Sequence, residues 1–164
     1  MFLFNDSLTN QIDLLANARY RLGQYGFDVA TGRGFRYYEN TGVDSTIVGD
    51  AAAHAGTTYG TITVTSGGGV INPVSTGAYC AGIAQAVIPT GYCGWFQTKG
   101  PGRVAAVTDT NVAIGSPLVL DGAGTPIGIL NPMADGEEEN VCGFALVADT
   151  STVLAANEYI LTID

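Results

Sequence analysis

The chain has 164 residues, of which 46% are hydrophobic, 13% charged and 23 are glycine, and its formal net charge is −9. That length suits one domain with its own core, and a glycine-rich, charge-poor composition argues for short strands and turns over a helical bundle. The negative charge disfavours direct binding of DNA or RNA, and no run is long and apolar enough to cross a membrane as a helix.

The charge is uneven. Residues 1–40 balance Arg19, Arg21, Arg33 and Arg36 against Asp6, Asp13, Asp28 and Glu39, whereas residues 41–164 set Lys99 and Arg103 against eleven carboxylates. The opening MFLFNDSLTNQIDLL has no basic n-region and meets Asp6 early, which reads as no signal peptide. From Ser7 to Leu22, Leu8, Ile12, Leu15 and Arg19/Leu22 recur at helical spacing, with Asp6 or Ser7 as N-cap and Gly23 as the stop. The spacing predicts an amphipathic helix that lies on its own domain or on a partner, an arm of residues 1–25 ahead of a β domain of residues 26–164.

Gly26–Ala30 and Phe35–Glu39 flank Thr31-Gly32-Arg33-Gly34 and read as a β-hairpin, with Phe35 and Tyr37 on one face and Arg36 and Tyr38 on the other. Ala51–Ala53 suggests one helical turn. Thr57–Thr65 alternates as a strand, and Ser66–Gly69 reads as a loop tip. Cys80–Ile88, Tyr92–Gln97 and Arg103–Val107 are apolar runs separated by Pro89-Thr90-Gly91 and Gly100-Pro101-Gly102, which predict turns between three strands. The only tryptophan, Trp95, sits in the middle run beside Phe96, which places the core there. Asn111–Leu120 and Thr125–Leu130 form a second hairpin about Asp121–Gly124, Asn131–Asn140 is an acidic loop, and Val141–Ala148 and Glu158–Ile163 are the last strands. The expected fold is mainly β: a small antiparallel barrel or sandwich of about nine or ten short strands with one N-terminal amphipathic helix or arm.

Chemistry-bearing patterns are sparse. Cys80, Cys93 and Cys142 lie in apolar runs without a close-spaced pair, so they read as reduced, buried thiols and not as zinc ligands. His54, the sole histidine, reads as a solvated loop residue, and no G-x-S-x-G elbow accompanies it. Glu137–Glu139 lacks the alternating oxygen ligands of a calcium loop, and Gly122-Ala123-Gly124 is followed by Pro126 where a dinucleotide loop would open a helix. No metal, cofactor or catalytic set is expected. Eight tyrosines leave open an aromatic face that binds sugar.

The phrases TGRGFRYYENTG, AGIAQAVIPTGYCGWFQTKGPGRV, AIGSPLVLDGAGTPIGIL and VCGFALVADTSTVLAANEYILTID resemble the small β-barrel head decoration, or cement, proteins of tailed bacteriophages, over most of residues 26–164. The resemblance implies a non-enzymatic virion protein, made in the host cytoplasm. It would bind the capsid exterior as a trimer, at junctions between major capsid protein subunits, and brace the head against packaged DNA. On that reading Leu8, Ile12 and Leu15 are apolar anchors at a capsid or subunit interface, and Arg19, Arg21, Arg33 and Arg36 meet capsid carboxylates. Rival readings are a head-fibre or tail protein and a carbohydrate-binding β-sandwich.

Overall fold

The computed structural model describes residues 2–4, 8, 11–42, 45–46, 48–54, 61–63, 80–107, 112–120, 130–133, 141–148 and 155–163. Among these, twelve strands form one hydrogen-bonded network. They are β1 (Phe2–Phe4), β2 (Asp13–Leu14), β3 (Tyr25–Asp28), β4 (Arg33–Asn40), β5 (Ala51–His54), β6 (Thr61–Thr63), β7 (Cys80–Ala84), β8 (Tyr92–Val107), β9 (Pro117–Leu120), β10 (Leu130–Pro132), β11 (Val141–Ala145) and β12 (Ala155–Thr162). The path runs β1-β3-β4-β6-β5-β7-β8-β12-β11-β9-β10, with β2 added on β8. Because β4 also pairs β8, the strands β4, β6, β5, β7 and β8 make a circuit, which gives this end its barrel-like curl. Pairing is antiparallel except for β1–β3 and β4–β6. The mainly β fold expected from the sequence is the fold observed.

The expected β3–β4 hairpin forms, but its turn lies ahead of the expected Thr31–Gly34, since Arg33 and Gly34 already pair with Asp28 and Phe27, and the turn is built by Asp28. One carboxylate oxygen accepts the Ala30 N–H at 2.9 Å and the other the Thr31 hydroxyl at 2.7 Å, while the Asp28 carbonyl accepts the Gly32 N–H at 2.9 Å. Asp and Ser/Thr favour such turns because their side chains satisfy the exposed backbone locally.

Three expectations fail. Residues 7–22 do not form an α-helix: among the described ones, Asp13 and Leu14 pair with Cys93 and Tyr92 of β8, and Leu15–Asn17 make a single 3-10 turn. A short helix gains little in water without a packed face. Here ladder bonds to β8 and the Asp13 side chain's own contacts outweigh the helical period. Ala51–Ala53 is strand, paired on both sides by β6 and β7; small side chains let two layers approach, and this overrides alanine's helix preference.

The third failure is Gly100-Pro101-Gly102, which does not turn the chain: β8 continues through it for 16 residues. β12 pairs along the segment without a break, from Thr162 opposite Lys99 to Glu158 opposite Arg103. The register against β4 slips between Gly34 and Phe35, so β8 carries an extra residue there. The extra residue is Thr98; beyond it Gly100 adopts φ 85°, and the buried Gln97 side-chain amide donates to the carbonyls of Lys99, Gly100 and Pro101 at 3.1, 3.0 and 2.9 Å. The chain here passes a β-bulge at Thr98 and continues as strand, with no reversal.

Three apolar clusters lie in sequence through the fold. One gathers Ala51, Ile83, Leu118, Leu130, Tyr159 and Leu161 with Cys80 and Cys142. The next holds Tyr38, Ala52, Ala81, Ala84, Ile88 and Phe96. The third holds Leu8, Phe35, Tyr37, Cys93 and Trp95, covered by Ala18, Tyr20 and Leu22. Strand alternation generates the layers: Ala51 and Ala52 face opposite clusters, as do Trp95 and Phe96, and Tyr37 and Tyr38.

Candidate interaction surface

Four adjacent strands line up apolar residues. Pro101 of β8 stands opposite Ile160 of β12, Ile160 opposite Phe144 of β11, and Phe144 opposite Pro117 of β9. Their chain neighbours Tyr159, Leu161, Ala145 and Leu118 belong to the buried core, so the row occupies the outward face. Phe144 is 39% and Ile160 38% exposed, Pro101 is exposed and Pro117 half-buried. Beyond the end of β11, Leu146 and Val147 are also exposed, and Ile114 is 71% exposed. Ile114 is held beside them because the Gly115 N–H donates to the Ala145 carbonyl at 2.8 Å and the Ala145 N–H to Ser116 at 3.0 Å. Exposed Lys99, opposite Thr162, borders the row.

An antiparallel sheet with one face in water normally alternates apolar-in and polar-out. Here one outward row is apolar across four strands, bordered by Lys99 and Thr162, and rows of this kind mark candidate interaction sites. The sequence signal was present but ambiguous. EYILTI and VCGFALVA were legible as the last strands but not as to which side faces out, and a bulge between Val141 and Gly143 shifts which residues of β11 do.

The residues proposed as capsid contacts do not gather on one surface. Leu8 is 1% exposed and sits beneath Phe35, Tyr37 and Trp95. Ile12 packs, half-buried, against the cluster of Tyr38 and Phe96. Leu15 is 44% exposed, beside Leu14 at 48%. The Arg19 Nε donates to Asp13 at 2.8 Å from a side chain that is 54% exposed, and Arg21 is exposed. Arg33 is half-buried and its Nε has no hydrogen-bond partner. Arg36 donates from Nη1 to the Gly23 carbonyl at 3.3 Å, with its guanidinium 5.9 Å from the Tyr25 ring centroid.

Asp13 ties this segment down. Its second oxygen accepts the Tyr37 hydroxyl at 2.6 Å, and Tyr20 packs edge-on to both Tyr37 and Trp95 at centroid distances of 5.3 and 5.0 Å. Burial, then the bond to Asp13, push the Tyr37 phenol well above its usual range. The neighbouring Cys93 thiol is pushed up to about 11, first by burial and then by the charges of Glu39 and Asp13.

His54, expected in a loop, is instead the last residue of β5, its ring edge-on to Tyr38 at 5.6 Å. Burial, then Arg36, lower its pKa. The candidate acidic run Glu137–Glu139 and the Gly122–Gly124 turn lie outside the described residues. Among the described residues no three His, Cys, Asp or Glu side chains converge as a metal site. Among the described aromatics Phe35, Tyr37, Tyr38, Trp95, Phe96 and Tyr159 are buried and present no ring face for sugar stacking, whereas Tyr20, Tyr25, Phe27 and Tyr92 are half-buried and Phe144 is exposed.

No protein-family model matches the chain, and no curated protein matches it. Among solved structures, the chain is similar to the head fiber gp8.5 N base of bacteriophage phi29, with 11% identity and a TM-score of 0.48, over 78% of this chain and 94% of that one. At that distance neither activity nor partner passes from one protein to the other.

Proposed function

We propose that the chain is a non-enzymatic structural protein of a tailed-phage virion that decorates the outside of the head. It grips the major capsid protein through the apolar row Pro101–Ile160–Phe144–Pro117 and its extension Leu146, Val147 and Ile114. The reading starts from the resemblance of the turn-and-aromatic phrases to phage decoration proteins. The observation that carries it is that row: partly exposed apolar side chains in register across adjacent strands, backed by the core. Covering such a surface releases water, and a trimer multiplies modest contacts through effective concentration. The exposed pair Leu14 and Leu15 with Arg19 and Arg21 supplies a secondary contact at most, since Leu8 and Ile12 are engaged in the chain's own core.

The test is co-sedimentation with isolated heads of the phage that encodes the chain. Phe144 and Ile160 belong to none of the buried clusters, and replacing Phe144 by Glu and Ile160 by Lys is expected to weaken head binding at least about tenfold per site. Wild-type binding by that double variant, or recovery of the wild-type chain in tails and not on heads, overturns the reading.

A further inference from the structure

The outward face that carries the apolar row does not end at β8. Lys99 and Pro101 are exposed two residues apart on β8, and Thr162 and Ile160 opposite them are exposed too, whereas the intervening Leu161 and its neighbour Tyr159 belong to the core. On its other side Lys99 stands opposite Gly34 of β4. The face of Gly34 that bears no side chain is taken up by the Tyr25 phenol and by Lys99: a Cβ there would lie 3.0 Å from Tyr25 Cζ and 3.1 Å from Lys99 Cβ. Arg36 is two residues along β4 and so on the same face, with its guanidinium 5.9 Å from the Tyr25 ring centroid. Tyr25 thus joins Lys99 to Arg36, and the row continues into a cationic end over β8, β4 and β3.

That end stands out against the rest of the chain. Lys99 is the only lysine, and the whole sequence sets six lysines and arginines against fifteen carboxylates. Two of those six cations lie together at one end of an otherwise apolar row. A partner with carboxylates at the matching place is attracted and oriented there, and one with cations is repelled. We infer that Lys99 and Arg36 form the charged half of the capsid contact, so that the surface received by the row is apolar where it meets β12, β11 and β9 and acidic where it meets β8 and β4. The inference rests on the reading of the row as the contact with the major capsid protein. Burial along the row supplies affinity, and the charge at one end fixes direction, because the reversed docking would set the partner's carboxylates against Phe144 and Pro117. Lys99 reaches this edge from an exposed position, and Arg36 from a half-buried one steadied by the Gly23 carbonyl at 3.3 Å.

The experiment measures binding to isolated heads across a salt series for the wild-type chain, Lys99→Glu, Lys99→Arg and the double variant at Phe144 and Ile160. Lys99→Glu is expected to bind about tenfold more weakly than wild type at about 0.1 M salt, with the gap closing to about twofold near 1 M, where the Debye length falls to about 3 Å. Lys99→Arg should stay within about twofold of wild type throughout. A carbodiimide, which joins an amine to a carboxylate in contact with it, should link Lys99 of the wild-type chain to an aspartate or glutamate of the capsid protein. Loss of binding by the double variant together with wild-type binding by Lys99→Glu overturns this inference and leaves the reading of the row standing. A weakening equal at every salt concentration, no Lys99 cross-link on heads that hold the chain, or retention of free DNA by the wild-type chain that Lys99→Glu abolishes would each overturn it too. No head binding by the wild-type chain, or undiminished binding by the double variant, removes the reading and this inference with it.

Discussion

The hydroxyl of Tyr37 donates a 2.6 Å hydrogen bond to Asp13, 24 residues earlier in the chain, at the point where Asp13 also receives Arg19. This joins the N-terminal segment to the β4–β8 pair beside Trp95. Tyr37 is 0% exposed, so its partner cannot be replaced by water without rearrangement. A hydrogen bond to a charged group contributes about 1.5–3 kcal/mol, whereas an exposed ion pair contributes roughly 0–1 kcal/mol. Tyr37→Phe is therefore expected to lower unfolding free energy in urea by about 2 kcal/mol. Arg19→Ala should change it far less. Equal losses from the two variants would show that the ion pair, not the phenol, holds the segment.

The continuation of β8 past its bulge predicts a second pair of effects. Gly100 adopts φ 85°, and a Cβ there would lie 2.8 Å from the Gly32 carbonyl oxygen. Gly100→Ala thus combines backbone strain with a clash and should cost roughly 1–3 kcal/mol. Gln97→Leu removes the amide that serves three carbonyls and should cost a similar amount, about 1–3 kcal/mol. Chemical denaturation of both variants measures this. Near-neutral effects would mean that the strand passes Pro101 without help from either residue.

Alkaline pH should destabilise the fold in two stages. Cys93 titrates near 9.0 when unfolded and is raised to about 11 when folded, and Cys80 is raised as well. Between these values the folded state holds more protons than the unfolded one, so their contribution is complete below about pH 9 and declines as pH rises. Tyr37 and Tyr159 are both raised, by burial first, from 10.0, and add a steeper decline above that pH. Urea midpoints measured from pH 8 to 11 should fall from about pH 9 and faster beyond about 10. Cys93→Ala should flatten the first stage. A midpoint constant to pH 11 would contradict the burial of these groups.

Much of this architecture was legible in the sequence wherever local chemistry and tertiary packing agree. The existence of the β3–β4 hairpin, the alternation of Phe35 and Tyr37 against Arg36 and Tyr38, and the burial of Trp95 all follow from residue type and a period of two. The misreadings arise where a distant partner decides. Asp13 and Leu14 are held in a strand by β8, some eighty residues on, and Ala51–Ala53 by β6 and β7. Gly100-Pro101-Gly102 has turn residues, yet β12 runs straight past it. The candidate surface was hidden for a related reason: Phe144 and Ile160 look like core residues until the register shows which side of β11 and β12 is already filled.

β5 and β7 send alternate side chains into two different clusters: Ala51, Cys80 and Ile83 to one side, and Ala52, Ala81 and Ala84 to the other. Neither cluster is therefore closed without a strand that the other also needs. Melting one compartment strips the partition from its neighbour, so the intermediate with half the molecule intact is costly. A calorimetric scan should show a single endotherm whose van't Hoff and calorimetric enthalpies agree.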